Sequence, residues 1–214
     1  MKPQIICHIM TPIDGKVDNS RWTAPDKEYG ASEMMAQYHA IGQRLGTDAW
    51  ILGTNTVKQF FPERFDACAC HKVFPDQLHT FVGDCSSRRQ MIALVPDGDI
   101  WFTANQLHGD NIIAVVGENV SADYIEFLED MQISYVFAGL DGMDLGKAME
   151  SICNEFGLWH ISLQGNSFIN GRFFQAGLVS ELSVVVSPQF DGCQGAPSII
   201  EYRGEETDWP QGLT

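Results

Sequence analysis

The sequence has 214 residues, 44% of them hydrophobic, which is enough to bury the core of one domain. Its 13 Lys and Arg against 28 Asp and Glu give a formal net charge of −15, which argues against nucleic acids and anionic bilayers as partners. The sequence contains no run of 18 apolar residues, so it predicts no membrane-spanning helix. Pro12 and Asp14 interrupt the N-terminal apolar stretch too early for a signal peptide. We therefore expect a cytoplasmic protein.

Apolar runs of strand length alternate with segments of helical period from the N-terminus onward. The first half predicts a strand at 4–10, a helix at 31–46, a strand at 48–53 and a helix at 54–61. The polar, proline-containing stretch at about 62–90 has no clear period. We interpret it as an excursion from the domain, not as a linker between domains.

The alternation resumes after this excursion. The predicted strands are 89–95, 111–117, 133–139, 158–165 and 182–190, and the predicted helices are 121–131, 145–157 and 167–177. Repeated strand, helix, strand units favour a mostly parallel sheet covered by helices on both faces. We therefore predict one α/β domain over residues 1–214.

Six cysteines are scattered along the chain, so free thiols are expected instead of a disulfide framework. The cluster "CACH" at 68–71, with His79 and Cys85 downstream, offers soft ligands that zinc would accept. Its C-x-C-H spacing lacks a paired C-x-x-C knuckle. We therefore favour a loop with incidental thiols and predict no metal site.

Gly165 falls at the carboxyl end of a predicted strand, directly before a helix, which is where open α/β sheets bind ligands. The N–H groups of Asn166, Ser167 and Phe168 would face an anion such as a phosphate. Spacing alone favours a simpler interpretation, in which Gly165 and Gly171 permit a turn and close helix packing.

The stretch "ILGTNTV" at 51–57 repeats this arrangement. Gly53 ends a strand, and Thr54 and Thr56 offer hydroxyl and N–H donors at the next helix start. Two such corners suit a dinucleotide with several phosphates. Because neither is a G-x-G-x-x-G fingerprint, a standard Rossmann NAD site is disfavoured.

The first strand and loop contain candidate proton donors. Strand alternation puts His8 on the same face as Ile6 and Met10, and Asp14 follows in the loop. Hydride transfer to a C=N or C=O bond also requires a proton, which a His or a carboxylic acid can supply. A hydrogen-bonded sheet histidine and an ordinary Asp-Gly turn are equally consistent with these residues.

Several blocks of the sequence together resemble the reductase domain of the riboflavin-biosynthesis deaminase-reductases, a branch of the dihydrofolate-reductase-like superfamily. The carriers are "MTPIDGKV", "SRWT", "AWILGTNTV", "QGNSFINGRFFQAGLVSELSVVVSP" and "GCQGAPS". The resemblance implies a three-layer αβα sandwich with a mostly parallel mixed sheet. It also implies a homodimer.

The resemblance implies an NADPH-dependent reduction of the ribosyl group of a phosphoribosylamino-uracil, or a close diaminopyrimidine analogue, to a ribityl chain. Ser20, Arg44 and Gln164 would contact the substrate, Arg44 through the phosphate. The implied NADPH-binding residues are Met10, Trp22, Gly53, Thr54, Thr56, Gly165, Asn166, Ser167, Phe168 and Gly171.

The chain departs from the family pattern at informative positions. His8 stands where the deaminase-linked enzymes usually carry a lysine, and Gln164 where they carry a glutamate. Because Gln164 cannot act as an acid or base, the predicted proton donors are His8, Asp14 or water. Phe60 and Phe61 replace acidic residues that often follow the second corner.

These departures keep two alternatives open: an oxidoreductase of the same fold acting on another small heterocycle or carbonyl compound, and a non-catalytic NADP-binding module. The sequence contains neither an H-x-E nor a P-C-x-x-C zinc signature, so no deaminase chemistry is expected.

Overall fold

The computed structural model describes residues 2–17, 31–66 and 78–202. These residues have an α/β fold with eight strands of mixed, mostly parallel sheet, which confirms the predicted fold class. The elements are β1 (Gln4–Pro12), α1 (Ala31–Arg44), β2 (Ala49–Leu52), α2 (Thr54–Phe60), β3 (Gln90–Leu94), β4 (Gln106–Leu107), β5 (Asp110–Val116), α3 (Ala122–Asp130), β6 (Ser134–Phe137), α4 (Leu145–Phe156), β7 (His160–Leu163), α5 (Ser167–Gln175) and β8 (Val179–Ser187).

The described residues form two compact units. Unit 1 contains residues 2–3, 48–66 and 78–161, and unit 2 contains residues 4–17, 31–47 and 162–202. The single domain expected from the sequence stays a prediction. None of the described helices is both long enough and apolar enough to cross a membrane.

In unit 1, β3 lies between β2 and β5, and all three strands are parallel. β5 also pairs with β6 in parallel and with the short β4 in antiparallel orientation. β3 and β5 are buried almost throughout, which explains why they read as continuous apolar runs instead of alternating ones. The β4–β5 hairpin, which the sequence patterns did not predict, turns at His108 and Gly109, both with positive φ as in a type I′ turn.

The core of unit 1 includes residues from α2 and α3 together with alternate residues of β3, β5 and β6. Val57 and Tyr124 belong to this cluster along with Met91 and Ile112. The stretch predicted as an excursion contributes Phe65, whose ring lies 5.0 Å from that of Tyr124. The described parts of 62–90 therefore cover the core of unit 1.

In unit 2, β1 and β8 run parallel, with His8 opposite Ser183 and Met10 opposite Val185. β1 is buried along nearly its whole length, because strand neighbours and α1 cover it. α1 packs on this pair through Met34, whose sulfur accepts a hydrogen bond from the Ser187 hydroxyl at 3.1 Å. The carboxyl ends of β1 and β8 thus lie side by side.

The described cysteines are free thiols, as their scattered spacing indicated: Cys7, Cys85, Cys153 and Cys193. Cys68, Cys70 and His71 of the "CACH" cluster lie outside the described residues. Cys85 places its sulfur 3.3 Å from the Ser134 hydroxyl oxygen.

Candidate active site

The first candidate corner of the site joins β7 to α5 in unit 2. Asn166 is the N-cap of α5, and its side-chain oxygen accepts a hydrogen bond from the Ile169 N–H at 3.0 Å. Ser167 is buried in the first turn, while 38% of Phe168 is exposed. The first turn thus lies at the positive end of the helix dipole, which suits an anionic ligand.

The two glycines of this corner are needed by the packing of the protein itself. A Cβ on Gly165 would lie 2.9 Å from the side chains of Ile169 and Asn170. A Cβ on Gly171 would overlap the carbonyl oxygen of Glu201. Gly171 is buried under that carbonyl, so its position supports the simpler packing interpretation over the predicted cofactor contact.

Arg172 is a candidate that the sequence patterns missed. Its guanidinium carbon lies 5.9 Å from the centre of the Phe168 ring, so the side chain reaches back over the first turn of α5. A cation at this position adds to the positive potential of the helix N-terminus. The i, i+4 spacing of Phe168 and Arg172 is the sequence signal that indicates this contact.

The second corner lies in unit 1, between β2 and α2. Gly53 is the N-cap of α2, and no side chain caps the helix there. The Thr54 hydroxyl donates to the carbonyl oxygen of Leu94 at 2.7 Å, so it fastens α2 to β3. Thr56 is half-buried and donates its N–H to the Gly53 carbonyl at 2.9 Å. Thr54 therefore has a structural hydrogen bond at the position predicted for cofactor binding.

His8 is buried in the middle of β1, with 1% of its surface exposed. Its ring stacks on Tyr38 at 4.2 Å, its Nε2 lies 3.0 Å from the Tyr38 carbonyl oxygen, and its Nδ1 lies 3.0 Å from the Ser183 hydroxyl. Because a carbonyl can only accept, Nε2 carries the proton and Nδ1 accepts from Ser183. Burial lowers the pKa of His8, although the hydrogen bond to Tyr38 opposes this shift.

Asp14 is exposed in the loop after β1. Its Oδ2 accepts a hydrogen bond from the Gly192 N–H at 2.8 Å, and this bond is the main reason that the pKa of Asp14 is lowered. A carboxyl group with a lowered pKa is ionised at neutral pH and has no proton to donate. The catalytic roles of His8 and Asp14 stay predictions, and the contacts of both side chains are structural.

Two amide side chains lie at the carboxyl ends of strands in unit 2. Gln164 follows β7 and donates from Nε2 to the Ser162 hydroxyl at 3.2 Å. Gln189 follows β8, is buried, and has no hydrogen-bond partner for either amide atom within the described parts of the chain. An unpaired buried amide costs free energy, so Gln189 joins the candidate ligand contacts that the sequence patterns missed.

The predicted ligand contacts also include Met10, Ser20 and Trp22. Met10 lies near the carboxyl end of β1, as the predicted cofactor contact requires, and its side chain is buried. Ser20 and Trp22 lie outside the described residues. The predicted substrate contacts thus include only Gln164 and Arg44 among the described positions.

Arg44 is exposed at the C-terminal end of α1. At ~1.5 Å rise per residue it lies roughly 15 Å along the helix from Met34, which packs beside Ser187 at the end of β8. Arg44 therefore lies toward the amino-terminal edge of β1, on the side away from Met10. Its predicted contact with a substrate phosphate stays a prediction without support from this geometry.

Comparisons with known proteins agree with the architecture. Solved structures with the same fold include Acinetobacter baumannii RibD (15% identity, TM-score 0.60, 96% of this chain and 51% of that chain). A pyrimidine reductase-like protein from Corynebacterium diphtheriae is also similar (14% identity, TM-score 0.59, 93% of this chain and 80% of that chain). A third similar structure is the riboflavin biosynthesis reductase Rib7 of Saccharomyces cerevisiae (12% identity, TM-score 0.56, 100% of this chain and 86% of that chain).

The chain spans about half the length of the RibD structures, with 51% of the Acinetobacter baumannii protein covered. At these identities the structural likeness shows the fold alone. The family is shown by a model of the RibD C-terminal domain, which matches residues 3–210 and so nearly the whole sequence. The chain therefore belongs to the RibD C-terminal domain family, the family of riboflavin-biosynthesis reductases.

Proposed function

We propose that this chain is an NADPH-dependent reductase acting on 5-amino-6-(5-phosphoribosylamino)uracil, the substrate named for the reductase of Thermotoga maritima, or on a close diaminopyrimidine analogue. The observation that carries the proposal is the capped N-terminus of α5 at the carboxyl end of β7, within a chain of the RibD C-terminal family. Members of this family are typically NADPH-dependent oxidoreductases, which supports the proposal.

The first turn of α5 fits a phosphate of the cofactor. This turn lies at the positive end of the helix dipole, and the Arg172 guanidinium adds a charge beside it. We take Arg172, in preference to Arg44, as the cation of unit 2 that faces a bound anion. In unit 1, Gly53 and Thr56 are the proposed contacts at the start of α2.

NADPH, when bound, supplies a hydride, which would be delivered to C1′ of the ribosyl group. As the ring C–O bond at C1′ breaks, the released oxygen takes up a proton. The hydrogen bonds of His8 and the ionised state of Asp14 favour water as the source of this proton. Gln164 would hydrogen-bond a sugar hydroxyl, for which its amide oxygen stays available while Nε2 donates to Ser162.

A second candidate is an oxidoreductase of the same fold acting on another small heterocycle or carbonyl compound. It is supported by Gln164, which replaces a glutamate of the family pattern, and by the similarity to a protein described as pyrimidine reductase-like. A non-catalytic NADP-binding module would keep the α5 corner without turnover.

Two measurements on the same sample separate these functions. NADPH titration by fluorescence measures cofactor binding, and NADPH consumption with phosphoribosylamino-uracil measures turnover. Turnover supports the proposed reaction, whereas binding without turnover assigns the chain to another substrate or to the non-catalytic module. Absence of NADPH binding would contradict the proposal altogether.

Substitution of the two arginines tests the location of the anion site. We expect Arg172→Ala to raise the Kd for NADPH by roughly tenfold, because a charge-assisted contact is lost. The matched Arg44→Ala variant removes the same charge from the other end of unit 2 and should leave that Kd unchanged. A raised Kd in Arg44→Ala together with an unchanged Kd in Arg172→Ala would contradict an anion site at α5.

A further inference from the structure

Residues 189–201 form a segment, here called the strap, that follows β8 and crosses unit 2. Between residues 189 and 197 the strap is hydrogen-bonded to the loop after β1. The Ile13 N–H donates to the Gln189 carbonyl at 2.8 Å, and the Val17 N–H donates to the Pro197 carbonyl at 2.9 Å. The Lys16 ammonium donates to the Ala196 carbonyl at 3.0 Å. The loop and the strap are thereby held as one piece.

At its other end the strap is fastened to α5. The Asn170 side chain donates to the Ile199 carbonyl at 3.0 Å, and the Glu201 N–H donates to the Ser167 carbonyl at 2.9 Å. Gly171 permits this approach, because any larger residue would overlap the Glu201 carbonyl. The strap therefore connects the loop after β1 with the first turn of α5, the proposed cofactor corner.

Asp14 adds a further side-chain bond from the loop to the strap. Its Oδ2 accepts from the Gly192 N–H at 2.8 Å, in a part of the strap between the bonds of Gln189 and Ala196. Gly192 has a positive φ of 68°, a backbone conformation that favours glycine. A side-chain acceptor that holds the Gly192 N–H limits how far this part of the strap can move.

We propose that Asp14 is a positioning residue: its carboxylate fixes the strap at Gly192, and the strap holds the first turn of α5 in the geometry that binds the cofactor. The inference rests on the proposed function, because the cofactor is what the turn positions. The role requires an oxygen acceptor at Asp14 and requires neither its charge nor a proton, which separates it from the proton-donor role predicted from the sequence.

The test compares Asp14→Asn with Asp14→Ala in the full chain. Asparagine keeps an oxygen that accepts from Gly192 and tolerates the Asp-Gly type of turn, whereas alanine removes the acceptor. We expect Asp14→Ala to raise the Kd for NADPH and to lower kcat/KM by roughly tenfold, and Asp14→Asn to stay within about threefold of the wild type with an unchanged pH profile. Mass spectrometry confirms that the new amide has not hydrolysed back to the carboxylate.

Hydrogen exchange of residues 189–201 gives a readout that needs no turnover. Exchange in the strap should be faster in Asp14→Ala and close to wild type in Asp14→Asn. An equal loss of kcat in both variants with unchanged strap exchange would assign Asp14 to proton transfer and overturn the proposal, and so would wild-type behaviour of Asp14→Ala. If the wild type binds no NADPH, the proposed function fails and the positioning role with it, while the exchange data still decide whether Asp14 fixes the strap.

Discussion

At the residue scale, His8 links the stability of the protein to pH. It is buried on β1, stacked on Tyr38 and hydrogen-bonded at both ring nitrogens. Burial lowers the pKa of His8 below its ordinary value of 6.5, so the folded protein holds the ring neutral. Acid must therefore favour the unfolded chain, in which the same ring is free to take up a proton.

The sign of this effect follows from proton linkage. Between the lowered pKa and 6.5 the unfolded state binds more protons than the folded state, so the free energy of unfolding falls as the pH is lowered through this window. We expect urea denaturation of the wild type to show a lower free energy of unfolding at pH about 5.5 than at about 7.5. The ordinary pKa of an Asp is about 3.8, and folding lowers the pKa of Asp14 below that value. The contribution of Asp14 to the free energy of unfolding is therefore lost only at more acid pH than this window.

The control variant is His8→Gln, whose amide can still donate to the Tyr38 carbonyl but does not titrate. Its stability should depend less on pH over this window than that of the wild type. An identical pH dependence in the two proteins would show that His8 is not the group responsible.

At the element scale, α5 contains a glycine that packing requires. Glycine inside a helix costs ~1 kcal/mol relative to alanine, so an ordinary helical glycine is a site where alanine stabilises. Gly171 differs, because the Glu201 carbonyl occupies the space that a Cβ would need. Packing of the strap on α5 thus outweighs helix propensity at this position.

A pair of Gly→Ala variants tests this balance. Gly171→Ala should lower the free energy of unfolding by about 1–3 kcal/mol, because the strap has to move. A Cβ at Gly146, in the first turn of α4, would lie 3.5 Å from the Asp144 carboxylate and meet nothing closer. Gly146→Ala should therefore raise the free energy of unfolding by about 0.4–1 kcal/mol. Thermal or urea denaturation measures both, and a stabilised Gly171→Ala variant would contradict the close approach of the strap.

At the scale of the whole molecule, the homodimer implied by the family resemblance stays a prediction, and one surface of unit 2 suits it. β8 has β1 as its one strand neighbour within the described residues, and 58% of Val186 is exposed on it. Phe190, just beyond this strand, is exposed as well. An exposed apolar strand at a sheet edge favours pairing with another chain.

Light scattering after size exclusion should therefore give about twice the chain mass of 23.8 kDa. Val186→Lys should shift the protein toward the monomer, because a charge would be buried in the interface. Val82→Lys in unit 1, where 51% of the valine is exposed, should leave the mass unchanged. A monomeric wild type, or a dimer that is unaffected by Val186→Lys, would contradict the prediction that this surface forms the dimer interface.

The sequence by itself determined the α/β class, the order of the main strands and helices, and the position of the Gly165 corner. Periodicity and capping residues carry this information locally, as the Asn166 cap of α5 shows. It also predicted free thiols correctly at the four described cysteines. The sequence patterns did not predict the short β4, because two residues are too few to show a period.

Tertiary structure alone decided which polar groups meet. From the sequence, His8 and Asp14 fit a proton donor and a structural residue equally well. Their contacts with Tyr38, Ser183 and Gly192 are visible only in the tertiary structure, and the catalytic roles stay predictions. Spacing alone could not explain why residue 171 is a glycine, because the group that excludes a Cβ there is the Glu201 carbonyl, 30 positions further along the chain. Local patterns determine secondary structure, whereas the hydrogen bonds of a site depend on residues that only folding brings together.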